Sequence, residues 1–68
     1  MNKALLKYEM ERRGISASTM AEKLGISRSA FWRKCRGVSE FKLSEIERII
    51  EVLELKDPSA VFFAGKVS

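Results

Sequence analysis

Arg28, Ser29, Trp32, Arg33 and Arg36 recur at a spacing that gathers all five on one side of a helix. Three guanidiniums on one outward face are forked, permanently charged donors that match the paired acceptors of a phosphate or of a guanine edge. Ser29 adds a weaker and less selective hydroxyl, and Trp32 a large ring with one N–H. A short helix with such a face suits a DNA major groove, where a helix fits and base edges lie open. The competing reading is a basic face that does no more than meet solvent.

The stretch 16–37 supplies the elements that must hold this face in place. Ser16 is placed to accept from the free N–H groups that open a helix over 17–24. Gly25 follows the last apolar residue, where a left-handed backbone costs glycine little. Ile26 turns back into the core, Ser27 stands where a second N-cap belongs, and a helix over 28–36 stops at Gly37. Ala21 is small where the second helix must cross closely, and Phe31 plugs that helix into the core. This small-x3-Gly-x5-apolar spacing resembles the helix-turn-helix signature.

Composition narrows the function classes. A chain of 68 residues gives one small domain, expected to span 1–68, and its 46% apolar content is enough for a core. A single cysteine makes no internal disulfide and suits a reducing compartment. With no histidine, both the commonest metal ligand and the commonest general base are missing. No metal site, cofactor or small-molecule substrate is therefore expected, and an enzyme is disfavoured. The apolar runs are too short for a bilayer and no signal-peptide pattern opens the chain, so a cytoplasmic, nucleoid-associated protein is expected.

The net charge of +4 is unevenly spread. Residues 1–36 carry nine Lys and Arg against three Glu, a balance of +6, whereas residues 37–68 carry four cations against six carboxylates, a balance of −2. The positive half is the half with the paired helices, which fits a polyanion on one face.

Along the rest of the chain, residues 2–13 read as a first helix on Leu6 and Met10, with Tyr8 packing at the core edge and Gly14 closing it. The loop 38–42 is placed to lie along a DNA backbone, its N–H groups, Ser39 and Lys42 meeting phosphates while Phe41 folds back as an apolar anchor. Helix periodicity is strongest over 43–55: Leu43, Ile46, Ile49, Ile50 and Leu53 form the apolar face, and Glu45, Glu47, Glu51 and Glu54 are assigned to the opposite, solvated one. Asp57-Pro58 starts a last helix over 58–64, ended by Gly65, with a loose tail at 66–68. Two adjacent aromatics, Phe62 and Phe63, cannot both enter a small core; one is expected to be buried and the other partly exposed, which makes the pair candidates for a contact between two copies of the chain, the alternative being that both tuck over the domain edge. The fold class is all-α, a compact bundle of five short helices at 2–13, 17–24, 28–36, 43–55 and 58–64.

In order and spacing, residues 24–29, 31–34, 39–41, 43–53 and 61–63 resemble the phage Cro/repressor family of helix-turn-helix regulators, also called lambda-repressor-like or XRE-type. The likeness is to the short Cro-like regulators of Gram-positive phages and prophages. It implies operator DNA as partner, a homodimer, and the third helix in the major groove. It assigns base contacts to Arg28, Ser29 and Arg33, with Trp32 beside them either on DNA or shielding the helix pair. Backbone contacts fall to Ser16, Ala17, Ser18, Ser27, Lys34, Arg36, Ser39 and Lys42.

Three departures from the family pattern matter. Ala17 replaces a phosphate-holding Gln, leaving its N–H and the neighbouring serines to act. Met10 and Cys35 stand where relatives pair an Arg with an acid, which implies a greasy contact. Lys34 occupies a usually apolar position, its stem covering the core while its amine reaches out to phosphate. The leading reading is a sequence-specific transcriptional regulator; the alternative is a protein-binding module, an antitoxin or anti-repressor, on the same fold.

Overall fold

Among the described residues, four helix ends close on the same pair of hydrogen bonds, and this repeated device sets the chain's turns. The structure, a computed structural model, describes residues 1–62. Its helices are α1 (Lys3–Arg12), α2 (Ala17–Leu24), α3 (Arg28–Cys35), α4 (Leu43–Leu53) and α5 (Pro58–Phe62). Phe63, Ala64, Gly65 and the tail 66–68, with the end assigned to the last helix, lie outside the described residues.

At the end of α2, Gly25 N–H donates to Glu22 C=O at 3.1 Å and Ile26 N–H to Ala21 C=O at 3.0 Å. Gly25 reaches this closure with φ +73°, a left-handed angle that a Cβ disfavours. Space is not the reason for the glycine, since a Cβ added there would meet nothing within 4 Å. Equivalent bond pairs follow α1 at Gly14 and Ile15, α3 at Gly37 and Val38, and α4 at Glu54 and Leu55. Glu54 holds the left-handed angle without being glycine, at φ +50°. This stops α4 at Leu53, two residues before the expected end.

The starts are capped by side chains. Asn2 Oδ1 accepts the Leu5 N–H at 3.0 Å, so Asn2 caps α1 instead of belonging to it. Ser16 Oγ accepts from Thr19 N–H at 3.1 Å and Ser27 Oγ from Ala30 N–H at 3.0 Å. Each such cap satisfies a donor that the first helical turn leaves free, typically for about 1 kcal/mol.

The core is Leu6 and Met10 of α1, Met20 and Ala21 of α2, Phe31 and Cys35 of α3, Ile49 and Leu53 of α4, and Val61 and Phe62 of α5. α2 packs on α3 and α4, and α1 on α5, where Asn2 N–H also donates to Val61 C=O at 2.6 Å. Three edge-to-face ring pairs run through this core, Trp32–Phe31 at 5.9 Å, Phe31–Phe41 at 6.0 Å and Phe41–Phe62 at 6.2 Å between centroids. Phe41 thus anchors the α3–α4 loop, as its place in the sequence predicts. No described helix is long and apolar enough to cross a membrane.

Three positions differ from their sequence assignment. Glu45, assigned to the solvated face, is buried, because 45, 49 and 53 form one line along α4 and that line faces the core. Leu43, two residues earlier, points away from that line and is 72% exposed. Tyr8 is exposed for the same reason, standing two residues from both Leu6 and Met10.

Candidate nucleic-acid interface

α3 begins at Ser27, whose hydroxyl is committed to Ala30 N–H, and is fixed inward by Phe31 and Cys35. Burying those two side chains decides what the helix shows outside. Arg28, Ser29, Trp32, Arg33 and Arg36 are all exposed. Four of them, Ser29, Trp32, Arg33 and Arg36, line one shallow recess on the outer face. Arg28 leans toward α2, its guanidinium 3.5 Å from Ser18 Oγ. Ser18 accepts in this contact, which leaves its own proton to give. Trp32 is 44% exposed, stacks edge-to-face with Phe31 and also lines the recess, so it packs on the protein while still presenting a surface.

The residues expected to hold phosphates divide into two groups. Ser18, Arg36, Ser39 and Lys42 have exposed side chains near the two ends of the helix pair, and Ala17 opens α2 with Ser16 as its cap. The Ser16 hydroxyl is engaged in both directions, accepting from Thr19 N–H and donating to Thr19 Oγ1 at 3.0 Å. Three of the loop N–H groups are engaged within the protein: Val38 and Ser39 N–H both go to Arg33 C=O at 3.0 and 3.4 Å, and Lys42 N–H to Glu45 Oε1 at 2.8 Å, while Gly37 N–H before them donates to Lys34 C=O at 3.2 Å. These three amides are therefore not turned outward as the sequence assignment has them. Outside, the loop presents the Ser39 hydroxyl and the Lys42 side chain, together with the exposed Val38 and Glu40.

Lys34 also differs from its assignment. Its Nζ lies 2.6 Å from Glu45 Oε1, and the two side chains are only 12% and 7% exposed. The stem covers the core as expected, but the amine turns to α4 instead of outward. Burial alone would raise the Glu45 carboxyl; the hydrogen bonds and charges of Lys34 and Lys42 outweigh it and hold the carboxyl below its ordinary value. Sequence reasoning missed this pair because residue type argued for exposure. The signal that finds it is register, since Glu45 stands four residues before Ile49.

Met10 and Cys35 sit in one core cluster and line one groove, so both of these positions are apolar and buried, with no ion pair. Burial pushes the Cys35 thiol up to about 11, with the Lys3 charge opposing more weakly, so the sulfur stays protonated and inert at neutral pH. Phe62 is 7% exposed and part of the core, as expected of one of the two adjacent aromatics.

A helix-turn-helix domain model matches residues 4–61, nearly the whole chain and all five described helices but for the first residue of α1 and the last of α5. The chain belongs to the helix-turn-helix domain family. Neither the curated proteins nor the solved structures compared with the chain match it. Membership in this DNA-binding family and the all-helical fold agree with the placement of α2 and α3: a capped helix, a left-handed glycine turn, and a second capped helix whose outer face is basic.

Proposed function

We propose that this chain is a sequence-specific transcriptional regulator of the phage Cro/repressor type that reads operator DNA by laying α3 in the major groove. The observation that carries the reading is the recess on α3, where Ser29, Trp32, Arg33 and Arg36 share one exposed surface with no carboxylate among them. Arg28 and Arg33 fork onto the O6 and N7 acceptors of guanine, Ser29 reads less selectively, and Trp32 packs against a thymine methyl or the sugar wall. Ser18, Arg36, Ser39 and Lys42 hold phosphates on either side, helped by the N-terminal turns at Ser16, Ala17 and Ser27. Lys34 is left out of this set because its charge is already matched by Glu45.

One helix of this length reads only a few base pairs, too few to single out one site in a genome. Pairing two copies on a palindrome, with half-sites about 34 Å apart, doubles the reading frame. A homodimer on DNA in the bacterial cytoplasm is therefore part of the proposal. With Phe62 in the core, Phe63 remains the proposed contact, and it lies outside the described residues.

Selection of bound sites from a random duplex pool, followed by footprinting, tests the whole reading. A palindromic consensus protected over both half-sites is expected. A pool that shows no enrichment after repeated rounds contradicts sequence-specific binding.

A further inference from the structure

A second concave surface, separate in most of its lining from the recess on α3, runs between α1 and α3. Its volume of about 510 Å³ falls within the range, roughly 300–1,000 Å³, in which small-molecule sites lie. The open apolar surface is formed by Ala4, Ile15, Ala17 and Trp32, over a floor of the buried Leu6, Met10, Phe31 and Cys35. Cys35 adds a protonated, unreactive sulfur to that floor. The rim has the opposite character. Lys3, Lys7 and Arg36 stand on it against the single carboxylate of Glu11.

An apolar floor under a cationic rim selects one class of occupant. A neutral hydrophobe leaves the cations unmatched, and a compact anion such as phosphate leaves the floor wet. A molecule with an apolar body and one anionic head satisfies both. The groove also touches the DNA face, because Trp32 and Arg36 line it as well as the recess, and Ser16 and Ala17 at the start of α2 stand at its edge. A negative head at Arg36 removes a cation that a DNA phosphate needs and sets like charge beside it.

We propose that the α1–α3 groove binds a small amphipathic anion, with an aromatic or branched apolar body and one carboxylate, sulfonate or phosphate, and that its occupancy opposes DNA binding. The opposition rests on the DNA-binding reading; the site itself does not. Linkage makes the effect reciprocal, so DNA lowers affinity for the anion by the same factor that the anion lowers affinity for DNA.

The test uses the full chain and two fluorescent dyes that share an apolar body. One is 8-anilino-1-naphthalenesulfonate; the other, N-phenyl-1-naphthylamine, lacks the sulfonate. In the absence of DNA the sulfonate is expected to saturate and to bind about tenfold tighter than the neutral dye, a difference of about 1.4 kcal/mol. Ala4→Phe, at an exposed α1 position on the groove wall, is expected to abolish sulfonate binding while circular dichroism and DNA affinity stay as in wild type. Lys7→Gln keeps the test decisive if Ala4→Phe does not fold, and is expected to bring the sulfonate down toward the neutral dye. Equal affinity for the two dyes, or sulfonate binding unchanged in both folded variants, overturns the site. Bound sulfonate is also expected to be released by the selected duplex. Dye and duplex that bind together without mutual effect overturn the opposition. A chain that binds the sulfonate as expected but no duplex at all supports the site and overturns the DNA reading with the opposition.

Discussion

Lys34 Nζ stands 2.6 Å from Glu45 Oε1, and the same carboxylate oxygen accepts the Lys42 N–H at 2.8 Å. One buried carboxylate therefore ties α3 to the start of α4 and closes the loop between them. Because the Glu45 carboxyl is held below its ordinary value of 4.5, the pair stabilises the fold above that pH and the contribution is lost as pH falls through the lower, folded value. Urea unfolding followed over this acid range is expected to show wild-type stability falling, and Glu45→Leu to flatten that fall. At neutral pH the single variant leaves the Lys34 charge without its partner and is expected to cost about 3 kcal/mol, while Lys34→Met with Glu45→Leu costs less than either alone. A double variant as unstable as the sum of the two singles contradicts the pairing.

Much of this architecture was legible in the sequence, because each turn carries its own chemistry. Ser16, Ser27, Gly25 and Gly37 specify caps and left-handed closures within a few residues, so no knowledge of distant contacts is needed to place α2 and α3. The outward set on α3 follows once Phe31 is assigned to the core. Glu45, Leu43 and Tyr8 were not legible from residue type, because burial there depends on which line of α4 or α1 meets its neighbours. The end of α4 was hidden for a related reason: Glu54 takes a glycine's angle, and its exposed ion pair with Arg13 at 3.3 Å is itself a tertiary contact.

Gly25→Ala tests the turn that sets the angle between α2 and α3. The left-handed angle there penalises a Cβ, and the expected loss is about 1–2 kcal/mol in urea unfolding. An unchanged midpoint means that the angle relaxes freely and does not fix the helix pair.

Phe62→Ala is expected to behave as a core variant. Removing a buried ring that stacks edge-to-face on Phe41 costs about 3–5 kcal/mol, a large share of what a chain of this size has. Circular dichroism melting reads this directly. A variant that melts like wild type yet binds DNA with less cooperativity returns Phe62 to the contact between copies.

Salt dependence measures the phosphate contacts. Log affinity for DNA is expected to fall linearly with log salt, by about 0.9 for each phosphate neutralised, and Arg36→Ala or Lys42→Ala each to reduce that slope by about one. Affinity indifferent to salt is incompatible with a phosphate-clamped complex.

The claim that the outer face of α3 reads base edges is tested most directly by Arg28→Ala, with affinity measured on the selected duplex and on random duplex at one fixed salt. The account predicts a loss of about 1–3 kcal/mol on the selected site and a much smaller one on random DNA. Equal losses on both would show Arg28 to be a phosphate clamp and would contradict the placement of α3 in the groove.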